Sequence, residues 1–280
     1  MIDHAELTLN STIELANGVL MPRLGLGTYK TTDGQQVRLA VESALQTGYR
    51  SIDTASLYGN EVGVGEAIAA SGLPRQDIFL TTKVWNDDQG HESTHAALAA
   101  SLERLGTSYV DLYLVHWPIE QLLEPTWRAM EESLSSGMVR AIGVCNFMQY
   151  HLERLLQVAE VAPMIDQYEC HPMLQQPSLR RFCVEHGIVV EAWAPLLRGH
   201  VAEMPVLVDV ADEHGVTPEQ VALRWALQHD TVVIPKSVHP ERIVQNADVF
   251  GFTLDAAAMA RIDAADIGRR LGRDPDTMAW

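Results

Sequence analysis

Eight short runs rich in Val, Ile, Leu and Tyr recur along the chain, each followed by a longer helical stretch, and this alternation narrows the folds open to it. The runs are RLGLG (23–27), RSIDT (50–54), DIFLTTKV (77–84), YVDLYLVH (109–116), VRAIGVCN (139–146), PMIDQYE (163–169), GIVVEAW (187–193) and TVVIPK (231–236). Most lie about 25 to 35 residues apart, the span of a strand–helix–strand unit. Strands joined through helices pair in parallel, and eight such units suit a closed (β/α)8, or TIM, barrel of the α/β class. The stretches between them, such as QVRLAVESALQTG, HAALAASLERLG and PEQVALRWALQHD, are amphipathic. In the second, Leu98, Leu102 and Leu105 mark one face. Gly48, Gly72, Gly106, Gly137 and Gly187 each precede a strand and are expected to end helices. The longer last spacing leaves room for an added helix or loop near RGHVAEMPVL. Ahead of the first unit, LTLNSTIEL followed by ANG reads as an N-terminal β-hairpin plugging the barrel bottom. No linker or low-complexity tract divides the chain, so residues 1–280 read as one domain. A doubly wound sheet would need G-x-G-x-x-G after its first strand. GLGTYKTTDG fails that spacing, and GNEVGVGEAI lacks the third glycine.

A hydrophobic content of 47% is enough for a large core. The formal net charge of −17 argues against nucleic acid and anionic membrane surfaces as partners. It leaves room for a small anionic ligand, which needs only a local positive cluster. Cys145, Cys170 and Cys183 are odd in number and lack CxxC spacing, so neither a disulfide framework nor a zinc ribbon is indicated. MIDHAELTLN has no basic region leading into an apolar one, and no apolar run approaches membrane-spanning length. The expected setting is a reducing cytoplasm.

Barrel chemistry gathers at the C-terminal ends of the strands. Read in order, those ends carry Asp53, Lys83, His116, Asn146, Gln167, Trp193 and Lys236. One polar strand end is usually a satisfied cap; seven on one rim look like one site. Among them, Asp53, Lys83 and His116 make a chemical proposal together with Tyr58. A free phenol titrates near ~10 and gives up its proton poorly at neutral pH. An adjacent ammonium stabilises the phenolate, so Lys83 is expected to lower the pKa of Tyr58. Inside a barrel mouth Lys83 would lose its charge unless a carboxylate faced it, and Asp53 supplies one. His116 could orient the same reacting oxygen through an imidazole N–H. Such a set would protonate or polarise a carbonyl oxygen. On spacing alone, a buried Asp–Lys ion pair with a tyrosine packed beside it stands equally.

No side chain supplies a hydride, so a reduction needs a cofactor. VIPKSVHPERIVQN (233–246) concentrates Lys236, Arg242 and a helix start, which suits a phosphate. The plain alternative is an ordinary strand-to-helix turn with Pro240 at the first helical position. Trp193 could stack on a flat ring or fill the barrel core.

DTASLYGNE, KVW (83–85), DLYLVHWP (111–118), IGVCNF (142–147), DQYECHP (166–172), WAPL (193–196) and IPKSVHPERIVQN together resemble the aldo-keto reductase family. The likeness runs in order from about residue 7 to about residue 260. It is nearest the bacterial branch that includes 2,5-diketo-D-gluconate reductases. The resemblance implies an NADPH-dependent barrel reductase of small aldehydes, ketones or α-dicarbonyls such as methylglyoxal. It makes Tyr58 the general acid, tuned by Lys83 and Asp53, with His116 positioning the carbonyl. Asn146 and Gln167 would bind the nicotinamide carboxamide, and Trp193 would stack on its ring. Lys236, Ser237 and Arg242 would hold the 2′-phosphate end, with Gln245 and Asn246 near the adenine. Gly27, Thr28, Leu196 and Val238 complete the implied cofactor contacts. Tyr29, Trp85 and Trp117 would line the substrate pocket with His116. The family likeness also implies a monomer.

Several residues depart from the commoner pattern. Cys145 stands where a serine often helps hold the carboxamide, Asp166 replaces an asparagine, and Ala194 sits where a serine often meets the pyrophosphate. WPIEQLLEPTW is a short connection, which implies an open pocket. GRRLGRDPDTMAW falls where relatives place a substrate-covering loop, and Trp280 is a candidate to pack there.

Two other functions are open to the sequence. HESTH (91–95) fits H-E-x-x-H and suggests a zinc-dependent hydrolase using His91, Glu92 and His95. NDDQG directly before it puts His91 at a helix start, and the third ligand is missing from the local sequence, so no metal is expected. A non-catalytic nicotinamide-binding regulatory subunit would not need all four catalytic positions filled, as they are here. No Y-x-x-x-K surrounds any tyrosine, which argues against a short-chain dehydrogenase.

Overall fold

Each of the eight runs becomes a strand, trimmed at its ends, in the computed structural model, which describes residues 6–277. A hairpin of β1 (Thr12–Glu14) and β2 (Leu20–Pro22) precedes them. The barrel strands are β3 (Leu26–Gly27), β4 (Ser51–Asp53), β5 (Phe79–Val84), β6 (Leu112–Val115), β7 (Ile142–Cys145), β8 (Ile165–Glu169), β9 (Val189–Trp193) and β10 (Val232–Val233). They pair in chain order, all parallel. Parallel bridges Leu24–Val233 and Gly27–Lys236 join the first strand to the last and close the ring. Gly27 permits that seam, because a Cβ there would sit 2.8 Å from the Ile234 carbonyl oxygen.

Helices cover the outside: α1 (Gln35–Thr47), α2 (Glu61–Ala70), α3 (His91–Leu105), α4 (Leu123–Ser135), α5 (Gln149–Leu156) and α6 (Pro177–Glu185). They continue with α7 (Pro205–His214), α8 (Pro218–Gln228), α9 (Pro240–Ala247) and α10 (Ala256–Asp263). The amphipathic pattern holds in α3, where Leu98 and Leu105 are buried and Leu102 packs at the edge of the core. Each fully buried leucine contributes roughly 2 kcal/mol of transfer free energy. The helix stops fall where expected. Gly48 ends α1 in the left-handed region (φ 110°), its N–H reaching the Ala44 and Leu45 carbonyls. Thr217 and Gln220 cap α8 reciprocally, with Pro218 at its first position. The long last connection holds the extra helix α7.

The hairpin lies across the N-terminal ends of the strands. Met21 and Leu15 are buried there, and Asn17 Nδ2 donates to the Arg140 carbonyl (2.8 Å). Among the described residues, no helix is long and apolar enough to cross a membrane.

Candidate active site

β4 is wholly buried and ends on Asp53, which is 2% exposed. A carboxylate in that position must be paired. Lys83 Nζ, on β5, donates to Oδ1 (2.6 Å) and Oδ2 (2.8 Å). Gln167 Nε2, on β8, donates to Oδ2 (2.8 Å). The same ammonium donates to the Thr54 carbonyl (2.9 Å) and to the Tyr58 hydroxyl (3.3 Å). Burial alone would strip the charge from Lys83, but Asp53 outweighs it and the pKa is raised. Backbone around this pair is braced: Thr28 donates its N–H (3.0 Å) and its hydroxyl (2.9 Å) to the Asp53 carbonyl. Asn60, fully buried, ties Thr54 to the carbonyls of Thr28 and Thr31.

Tyr58 closes a single 3-10 turn (Ser56–Tyr58) with Gly59 behind it at φ 65°. Its acidity differs from the sequence expectation. Dense packing around the phenol raises its pKa above the ordinary value; Lys83 pulls it down, Asp53 pushes it up, and burial wins. The phenol therefore stays protonated at neutral pH and reports the ammonium only when charge develops on its oxygen.

His116, just after β6, is 6% exposed, and its pKa is driven well below the usual value by burial and then by Lys83. It is a neutral imidazole. Its ring stands edge-on to Tyr58 (centroids 5.7 Å) and to Trp85 (5.2 Å), while Tyr29 packs over Tyr58 at 5.0 Å. Three rings, those of Tyr29, Trp85 and His116, thus cluster beside the phenol. Trp117 follows His116 and accepts from Gln89 Nε2 through its carbonyl (2.8 Å).

Asn146 takes up a left-handed conformation (φ 64°) after β7. Its Nδ2 donates to the His116 carbonyl (3.0 Å), and its Oδ1 accepts from Trp193 Nε1 (2.8 Å). Imidazole, amide and indole are therefore locked to one another. Cys145 is buried as a neutral thiol, its pKa raised chiefly by desolvation. Its Sγ receives Asn146 Nδ2 (3.1 Å) and lies 3.5 Å from Gln167 Oε1. Asp166 is fully buried on β8, where alternation points it away from Gln167 and the barrel centre. Desolvation raises its pKa, against a hydrogen bond from the Phe147 backbone. Ala194 (φ 54°), Leu197 (φ 51°) and Arg198 (φ 53°) continue a strained rim beyond Trp193, and the Arg198 guanidinium lies over the indole at 5.7 Å.

Lys236 sits at the closing seam opposite Gly27, exposed, its pKa lowered by partial desolvation and by Lys30. Two cations near enough for one to shift the other, in an acidic protein, could hold an anion. Ser237 is buried in a local turn with His239, and Val238 lies beside it at the surface edge. Arg242 and Gln245 are on α9 with Asn246, Arg242 exposed in its first turn and Asn246 buried. Leu196 is partly exposed next to the strained rim.

Sequence reasoning missed several participants. Glu191, on β9, accepts from Gln167 Nε2 (2.7 Å); burial, then Asp53, pushes its pKa up to about 8. It looked like one more strand residue in VVEAW. Lys30 stood beside an anticipated residue without any motif of its own. Glu169 holds the tail: the N–H groups of Leu271 (2.7 Å) and Gly272 (3.1 Å) donate to it. Gly272 lies against Trp193, and a Cβ there would collide with the indole. Tyr150 donates to Asp276 (3.0 Å), so the tail crosses the ends of β8 and β9. Trp280 lies outside the described residues. His91 is the first residue of α3, partly exposed like His95, and neither belongs to this site.

Residues 23–267 match the model of the aldo/keto reductase family. The chain is 48% identical over 273 residues to a glyoxal reductase of Bacillus subtilis, covering 98% of this chain and 99% of that one. It is 44% identical to the methylglyoxal reductase DkgA of Escherichia coli K12, covering 95% and 97%. A crystal structure of a Gox0644 variant in complex with NADPH superposes with a TM-score of 0.91 at 43% identity, covering 96% of this chain and 99% of that one.

Proposed function

The chain belongs to the aldo/keto reductase family, and from that premise we propose which of its residues perform NADPH-dependent carbonyl reduction and on what substrates. The observation that carries the reading is the ammonium of Lys83, bonded to both oxygens of Asp53 and reaching the Tyr58 hydroxyl in a wall of aromatic rings. Tyr58 gives its proton to the carbonyl oxygen. Lys83 stabilises the negative charge that then forms, and Asp53 keeps Lys83 charged. Neutral His116 orients the oxygen by hydrogen bonding and does not compete as an acid. Bound NADPH supplies the hydride. The residues present suit it: Trp193 offers an indole face beside Asn146, and Lys30 and Lys236 form a cationic spot for phosphate. Thr28 and Gly27 act here through the Asp53 carbonyl and the barrel seam. The Cys145 thiol takes over part of the polar role of a serine by accepting from Asn146.

The preferred substrates are small 1,2-dicarbonyl compounds. Residues 117–122 alone separate β6 and its His116 from α4, which leaves the mouth short-walled, and the relatives named glyoxal and methylglyoxal reductases agree with that size. Three free, buried cysteines support a reducing, cytoplasmic setting. A single-domain monomer belongs to the same reading.

The test is NADPH oxidation with methylglyoxal by wild type and by Tyr58→Phe. Loss of a positioned acid is expected to cut turnover by about 10³-fold while leaving cofactor quenching of tryptophan fluorescence intact. A variant turning over at the wild-type rate would falsify the assignment of Tyr58.

A further inference from the structure

The structure supplies what the HESTH motif lacked. His91 and His95 lie one helical turn apart at the start of α3, and Glu132 of α4 reaches both. His91 Nε2 is 3.1 Å from each Glu132 oxygen, and His95 Nε2 is 2.9 Å from Oε2. The three donor atoms lie within 4.8 Å of one another. Ligand atoms around a tetrahedral zinc stand on the order of 3.3 Å apart, so small outward rotations of two partly exposed histidines and an exposed glutamate would open the space for an ion.

The outer ring nitrogens point to such an ion. His91 Nδ1 faces Glu92 Oε1 (3.0 Å), and His95 Nδ1 faces Ser133 Oγ (3.4 Å). Ser133 gives its own proton to the Ala129 carbonyl (2.7 Å), so that oxygen meets His95 as an acceptor. Each ring therefore faces acceptors on both sides. A neutral imidazole has one N–H and can satisfy only one of them, so serving both takes either a second proton or a cation on Nε2. With Nε2 on a metal, each Nδ1–H has its acceptor and the carboxylate becomes a ligand, the usual outer-shell arrangement of a histidine metal site.

We propose that His91, His95 and Glu132 form a site for one divalent transition ion of the class preferred by imidazole and carboxylate, with zinc, nickel and copper as its members and water completing the coordination. The ion clamps α3 to α4. It extends a junction already made by the Gly90 N–H donating to Thr126 Oγ1 (2.8 Å). The site is not hydrolytic, because Glu92 serves the Nδ1 of His91 and is otherwise 94% exposed.

Zinc added to chelator-treated full-length protein, in competition with a chromophoric chelator, tests this. One equivalent is expected to bind, and saturating zinc to raise the thermal midpoint by about 5 °C. His91→Ala and His95→Ala should each weaken binding at least tenfold without changing the melting of the metal-free protein. Glu132→Gln keeps the hydrogen-bonding shape and loses the anionic ligand, so it should also weaken binding. Zinc affinity unchanged across these variants, or no midpoint shift in wild type, overturns the site.

Discussion

The two ends of the barrel are built on opposite terms. At the C-terminal end, Asn146, Ala194, Leu197 and Arg198 hold left-handed backbone without being glycine, and His116 Nδ1 is buried without a hydrogen-bond partner among the described residues. At the N-terminal end, Asp111 is equally buried, yet its oxygens take Arg75 (2.9 Å), Arg140 (2.8 Å) and the Leu80 N–H (3.0 Å). At the C-terminal rim, strain and unmet hydrogen-bonding capacity leave groups ready for a ligand. The opposite end spends its polar groups on cohesion.

Substitutions can break this contrast. Lys83→Met should have the largest effect because it strikes both functions: Asp53 is left buried and unpaired, costing about 4 kcal/mol of stability, and turnover should drop ~10²-fold or more. Denaturant midpoints and NADPH oxidation read the two losses, and turnover within tenfold of wild type would remove Lys83 from the chemistry. Asp111→Ala at the other end should cost about 3 kcal/mol of stability while kcat/KM stays within twofold. A comparable kinetic loss would mean that the ends are not independent.

Glu191 sharpens the comparison through pH. In the unfolded chain its carboxyl ionises near 4.5, but the folded protein keeps the proton up to about 8. The folded state therefore binds more protons between these values, and stability falls as pH rises through that window. In Glu191→Gln this fall should vanish: its thermal midpoint should exceed that of wild type at pH 8, and the two should converge toward pH 4.5. Parallel midpoint–pH curves would show that Glu191 is charged throughout. The smallest effect is expected of Cys145→Ser, where a hydroxyl gains one better hydrogen bond and the KM for NADPH should fall about threefold.

The eight strands were legible because buried parallel strands need apolar runs and their connections need helix stops, both of which are local signals. The rim residues were legible for the same reason, since a charge terminating an apolar run stands out. Glu191 did not, because a glutamate inside VVEAW shows its direction only once β9 is paired with β8. The direction of the Tyr58 shift escaped as well: the sequence displays the neighbouring ammonium, while desolvation depends on everything packed around the ring. Glu132 completes the histidine pair from a neighbouring helix, a relation no local motif can carry.

The seam between β3 and β10 has a bearing on how the chain reaches its structure. Leu24 and Gly27 meet Val233 and Lys236 from near the opposite end of the polypeptide. During synthesis the growing sheet keeps two open borders until the eighth strand emerges, and each border can recruit a stray strand. Chains released before residue 233 are therefore the ones most prone to aggregate, and ring completion, rather than helix formation, is the step that ends this exposure.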